Sequence, residues 1–278
     1  MSANRHGFGD DTGGGVRLGV QTSSFLGLRP KPGDDRIEAL IQAMTVCGGR
    51  DCELAAPLVE PAYGGSVSAH HAETSAMTPQ MMRRELRKWR LRTPLAHFTR
   101  VGARFRRAGI AISAYNYSPD STFTDDEIEF GFSAAKALGA DLMTSAMTPA
   151  IAKRVAPFAG RHRMVVALPA RLGAALSMSP YFKINVDVGG AAADSLDPAT
   201  FIRDHHTEIA SVHLKDCHAS SGDGSPWGDG ATPVRQTLQL LKRERSPIRA
   251  YVEYEDRGAG TPVEDVKRCL AYAKQAVA

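Results

Sequence analysis

Short apolar runs alternate with longer amphipathic stretches along the whole chain. The runs are VRLGVQ (16–21), DCELAA (51–56), GIAISAY (109–115), ADLMTSA (140–146), RMVVAL (163–168), FKINVDV (182–188), IASVHLK (209–215) and IRAYVEY (248–254). Uninterrupted apolar runs of this length suit strands covered on both faces, as in parallel sheets. The stretches between them carry helical patterns. DDRIEALIQAM (34–44) opens on two acids, and TDDEIEFGFSAAKALGA (124–140) has a Thr cap, early acids and a closing Gly. TPLAHFTRVGARFRRAG (93–109), TPVRQTLQLLKRE (232–244) and TPVEDVKRCLAYAKQAV (261–277) each open Thr-Pro, and proline in the first helical turn gives up no hydrogen bond.

Eight strands alternating with helices predict a (β/α)8 TIM barrel, α/β in class, over residues 16–278 as a single domain. A doubly wound open sheet is the alternative. No G-x-G-x-x-G follows the first strand and no P-loop is present, which counts against its nucleotide-binding versions. Residues 1–15, rich in Gly and Asp, read as a flexible leader and not as a secretion signal. The longest irregular stretches, 57–77 and 216–231, directly follow the second and seventh strands, the catalytic end of such a barrel.

Composition changes this picture little. The chain has 278 residues, 43% hydrophobic and 23% charged, with a net charge of +4. The basic cluster RRELRKWRLR (83–92) reads as a solvated helix face, because no aromatic or Gly-rich nucleic-acid motif accompanies it. Cys47, Cys52, Cys217 and Cys269 form no C-x-x-C pair and read as reduced thiols, so a cytoplasmic location is expected. No apolar stretch is long enough to span a membrane.

In a barrel, polar residues at the carboxyl ends of strands are the site candidates. The second strand offers Glu53, the third Tyr115, Asn116 and Tyr117, the sixth Asp187, the seventh His213, Lys215 and Asp216, and the eighth Glu253 and Glu255. Asp187, His213 and Glu253 each sit inside an apolar run, where an unpaired charge is costly. Two carboxylates and an imidazole meeting at one point can hold a divalent metal. Pairing of each with a neighbouring Lys or Arg is the structural alternative.

INVDVGG (184–190), SVHLKDCHASSGDGSPWGDGATP (211–233) and SPIRAYVEYE (246–255) carry a resemblance. The chain resembles the sugar phosphate isomerase/epimerase group of the xylose-isomerase-like TIM barrels, from LGVQTSSF (18–25) to KRCLAYAKQA (267–276). The resemblance implies a divalent metal, zinc or manganese, held by Asp187, His213 and Glu253. It implies a carbohydrate substrate, with carboxylates moving a proton beside a carbonyl through an enediolate. Glu253, Glu53 and Lys215 are the catalytic candidates; Asn116, Trp227 and Lys215 are the candidates for holding the sugar. For Glu53 a salt bridge across the barrel, for Lys215 an ion pair with Asp216, and for Trp227 the pinning of its loop remain open. Neither a nucleic acid nor a membrane is expected as partner, and a homo-oligomer is left open.

Two positions depart from the pattern. Where relatives carry Glu or a His pair on the fifth strand, this chain has Leu168, Pro169 and Ala170, with Arg171 the nearest charge. Where the sixth-strand motif continues to His, this chain has Gly190. Three readings follow. One is an isomerase or epimerase acting on a keto-sugar or sugar phosphate through the three-ligand metal site. Its variant is a lyase eliminating from a 3-keto-glycoside, whose base is then among Glu253, Glu53, His70, His71 and His97. Another is a sugar-binding or partner protein that has lost the site. The third, a multi-metal DNA-repair nuclease on the same barrel, lacks the His and Glu ligands it would need.

Overall fold

The computed structural model describes residues 12–13, 15–28, 33–61, 77–193, 196–216, 227–228, 230, 232–255 and 260–278. Its barrel strands are Val16–Gln21, Asp51–Ala55, Ala111–Asn116, Leu142–Thr144, Val165–Pro169, Phe182–Asp187, Ile209–Leu214 and Arg249–Val252. They are called the first to eighth strands below. Each pairs in parallel with the next, and the first closes on the eighth through Leu18↔Ala250 and Val20↔Val252. All eight expected strands are present, and the sheet is a closed barrel rather than an open one. Thr12–Gly13, within the expected leader, adds a short antiparallel strand to the first strand at Arg17 and Val16.

Alternation along the strands separates two apolar zones. Leu168, Val166 and Val212 belong to the large core between strands and helices. Ala114, Leu142, Ala167 and Tyr251 form a separate small cluster, the fill of the barrel itself. Tyr251 is the bulky member. Gly19 makes room for it, since a Cβ there would sit 2.8 Å from the Tyr251 ring. The phenol is fixed by Ser113 Oγ at 2.8 Å.

Helix caps follow the sequence in two cases and depart from it in two. Thr124 and Thr261 form capping boxes with Glu127 and Glu264. Thr93, expected to start a helix, instead ends one: its N–H and hydroxyl both donate to the Trp89 carbonyl, at 2.8 and 2.7 Å. The next helix then begins at Ala96 without a side-chain cap. Pro233 likewise starts the helix Val234–Arg243 without one. The helix Pro149–His162 was not foreseen, and Pro157 inside it obscures its apolar spacing.

The basic cluster is corrected more substantially. It lies in the helix Pro79–Arg92, but much of it faces inward. Arg90 is buried and grips Glu60 through two 2.7 Å bonds. Arg83 and Arg87 converge with it on the buried carboxylate of Glu127. Glu60 lies past the second strand and Glu127 in the first turn of the helix Asp125–Leu138, so no local charge pattern announces the pairing.

Candidate functional site

The tips of the strands are tied together by the turn Thr22–Phe25, which follows the first strand. Thr22 Oγ donates to the Glu53 carbonyl at 3.1 Å and accepts from Ala55 N at 2.8 Å. Ser24 Oγ accepts from Tyr254 N at 3.0 Å. One short segment therefore fixes the ends of the second and eighth strands, which carry Glu53 and Glu253.

Between those two carboxylates lies His213. Its Nε2 is 3.0 Å from Glu53 Oε2, and its Nδ1 is 3.3 Å from Glu253 Oε2. All three residues are buried, Glu53 completely. Asn116 Nδ2 donates to Glu53 Oε1 at 3.2 Å and to Thr144 Oγ at 3.0 Å. Ser23 Oγ donates to Glu253 Oε1 at 3.3 Å. The result is a carboxylate–imidazole–carboxylate row held from both ends. Burial opposes a charge on the ring, yet the flanking Glu53 and Glu253 outweigh it and hold the His213 pKa well above its usual value. Burial likewise disfavours the Glu253 carboxylate, but His213 and Lys215 keep its pKa below the ordinary value.

Asp187 pairs in register with His213 on the adjacent strand. Its Oδ1 accepts the N–H of Gly190 at 2.9 Å, so the carboxylate caps the start of the helix Val188–Ala193. Lys215 forms an ion pair with Glu255 and lies within the electrostatic reach of Glu253 and Asp187. It does not pair with Asp216. Asp216 instead accepts three backbone N–H groups, of Gly228 at 2.8 Å and of Gly230 and Thr232 at 3.3 Å each. That carboxylate fastens the far end of the segment after the seventh strand. Trp227, in the same segment, packs edge-to-face on Tyr272 of the last helix at 5.8 Å.

Other candidates fall elsewhere. Tyr115 and Tyr117 stack on each other at 5.8 Å in the layer between strands and helices, where Tyr117 donates to the Glu127 carbonyl. His97 packs against Trp89 and Phe98 in the helical layer. His70, His71 and Cys217 lie outside the described residues. Sequence reasoning passed over Ser23 and Thr144, although each stands at or just past the end of a strand.

The residues implied as metal ligands are thus brought to one end of the barrel. Among the described residues, however, no three His, Cys, Asp or Glu side chains are arranged to hold a metal ion. The reason is the donor set. Both ring nitrogens of His213 face carboxylates, Asp187 is turned to a backbone N–H, and the fifth strand ends in Pro169. As arranged, the site does not fit the implied metal.

The strands and the polar groups at their tips define a closed (β/α)8 barrel with a carboxylate–imidazole cluster at one end. No family model matches the chain, and no curated protein does. Solved structures do. A sugar phosphate isomerase/epimerase from Parabacteroides distasonis is similar at TM-score 0.61 and 14% identity, over 98% of this chain and 97% of that one. The 3-keto-D-glucoside 4-epimerase of E. coli gives TM-score 0.63 and 12% identity, over 94% and 99%. A D-allulose 3-epimerase from Methylomonas sp. gives 0.62 and 12%, over 94% and 98%. At these identities the likeness establishes the fold.

Proposed function

We propose that the chain is an enzyme of the sugar isomerase and epimerase type, moving a proton on the carbon beside the carbonyl of a keto-sugar. The observation that carries this reading is the Glu53–His213–Glu253 row at the catalytic end of the barrel. Buried acid and base groups held in fixed hydrogen bonds are what such chemistry requires. The epimerases among the similar structures support the substrate class.

Glu253 is the base in this reading. His213 and Lys215 leave it ionised against the cost of burial, Ser23 and His213 hold it, and its side chain keeps 10% of its surface exposed. It takes the proton from carbon, and the electron pair passes into an enediolate whose oxygen bears the charge. Lys215 supplies the nearby positive charge. Asp187 accepts hydrogen bonds from sugar hydroxyls. Glu53 has no exposed surface and acts by positioning His213, with Asn116 holding its other oxygen. Delivery of a solvent proton to the opposite face of the same carbon, with Glu253 giving up its own to solvent, gives epimerisation. Return of the proton to the neighbouring carbon gives isomerisation, and loss of a β-oxygen substituent gives elimination. The donor set does not fit a divalent metal, so no step is routed through one.

The test is incubation of the protein with ketohexoses and a 3-keto-glucoside in D2O, followed by NMR. Deuterium entering at the carbon beside the carbonyl, and its loss in Glu253→Gln, supports the reading. Sugar binding without any exchange would sink it and leave a sugar-binding protein, the reading that Pro169 and Gly190 favour.

A further inference from the structure

We propose that no divalent metal forms part of the working site: the bridging hydrogen bonds of His213 hold its carboxylates together instead. This deepens the function proposed above and rests on it for what the site does.

The argument begins at the fifth strand. Ala167 points into the barrel and Leu168 away from it, so Pro169 is the next inward position. Its pyrrolidine ring offers no donor atom. Pro169 pairs with Asn185, two residues before Asp187. The next inward place, level with Asp187, would fall to residue 171. There the chain has already turned into the 3-10 segment Ala170–Met178, and Arg171 is exposed. This side of the mouth therefore supplies no ligand through geometry as well as through residue type.

The opposite side is committed in a different way. A metal-bound imidazole gives one nitrogen to the metal and directs the other toward a carboxylate or carbonyl. Here Nε2 and Nδ1 are each spent on a carboxylate, from opposite flanks. Binding a metal at His213 would mean displacing Glu253 or the fully buried Glu53. Glu53 is further held through Asn116 to Thr144 on the fourth strand, so it has no free direction in which to swing. Asp187 spends Oδ1 on Gly190 N. A Cβ at residue 190 would meet the Asp187 carboxylate only at ordinary contact, 3.4 Å from Cγ. The glycine is thus not forced by crowding; a side chain is simply missing beside the acid. Finally, the Lys215 ammonium is paired with Glu255, just past the eighth strand, which brings a positive charge to the same end of the barrel.

The test uses the full-length protein as purified and after dialysis against excess zinc or manganese. Elemental analysis is expected to find less than about one-tenth of an equivalent of either metal. The melting temperature should move by less than about 1 °C, whereas a metal at a hundred times its dissociation constant adds several degrees. Deuterium exchange into the keto-sugar should persist in EDTA. A full equivalent of metal that is lost in Asp187→Ala, or exchange abolished by EDTA and restored by the metal, would overturn the proposal. Metal-free protein with no exchange on any sugar would sink the proposed function while supporting the statement about the metal, so the two failures read differently.

Discussion

Glu127 gives a sharp test of how the basic helix Pro79–Arg92 is anchored. Its carboxylate is fully buried and accepts from Arg83 at 2.6 and 2.9 Å, from Arg87 at 2.9 Å, from Arg90 at 3.3 Å and from Thr124 N at 3.0 Å. Glu127→Gln keeps the shape and removes the charge, leaving Arg90 with Glu60 and taking from Arg83 and Arg87 the acid they share. Removing one partner of a buried ion pair costs about 3–5 kcal/mol. Arg83 and Arg87 keep 21% and 37% of their side-chain surface exposed, so solvent screens part of the loss. The expected cost is the low end, about 3 kcal/mol. At this chain length that is a fall in melting temperature of about 6 °C. Burial pushes the Glu127 carboxyl up, but the arginines outweigh it and hold its pKa at about 2. A folded value below the unfolded one means the contribution is present above the unfolded value, near 4.5, and fades as pH falls toward the folded one. Urea unfolding of both proteins, followed by tryptophan fluorescence, should show the gap at neutral pH and a narrowing gap below about pH 5. A gap under about 1 kcal/mol at neutral pH, or one that stays constant into acid, would refute the reasoning.

Four further outcomes follow from the geometry. Gly102→Ala places a Cβ 2.4 Å from the Leu138 carbonyl oxygen, a backbone atom of the neighbouring helix, so it should cost about 2 kcal/mol or more in denaturant unfolding. Asp216→Ala removes an acceptor from three backbone N–H groups and should lower stability by about 2 kcal/mol, read by calorimetry. His213 has a folded pKa above its unfolded one, so its stabilisation is full below about pH 6.5 and is lost as pH rises through the folded value; its imidazole NMR signal should stay flat where an ordinary histidine titrates, and a midpoint near the usual value would count against the two-carboxylate row. Glu253→Gln should slow solvent exchange on the order of a thousandfold and Glu53→Gln on the order of tenfold, the latter with a shifted pH profile; equal losses would show that Glu53 meets substrate directly.

The barrel was legible because its signal is local and repeated. Apolar runs such as VRLGVQ and FKINVDV need only their own residues to declare a buried strand, and the strand Val16–Gln21 falls on the expected bounds. Ionisable residues inside such runs, Asp187, His213 and Glu253, were equally visible, because the cost of an unpaired charge there marks them as special whatever they do. Pairing was the part that sequence could not display. Arg90 meets Glu60 across 30 positions, and His213 meets Glu53 across 160. No window along the chain contains both members of either pair, so the basic stretch 83–92 reads as solvated and Glu53 reads as one candidate among several.

The fifth strand shows the same limit from the other direction. In sequence, Pro169 is only a missing ligand, and the remaining Asp187, His213 and Glu253 still make a credible reduced metal set. In three dimensions the loss is compensated from elsewhere: Glu53 arrives from the second strand and takes the imidazole face that a metal would need, while Asn116 and Thr144 lock it there. Asp187, His213 and Glu253 are each committed to groups of the protein. Here each has found a different partner within the chain, Glu53 and Glu253 for His213, Ser23 for Glu253, and the Gly190 amide for Asp187. Such a fully partnered set can keep its acid and base groups in fixed places, which is how three ligand-type residues are retained under the metal-free site proposed above.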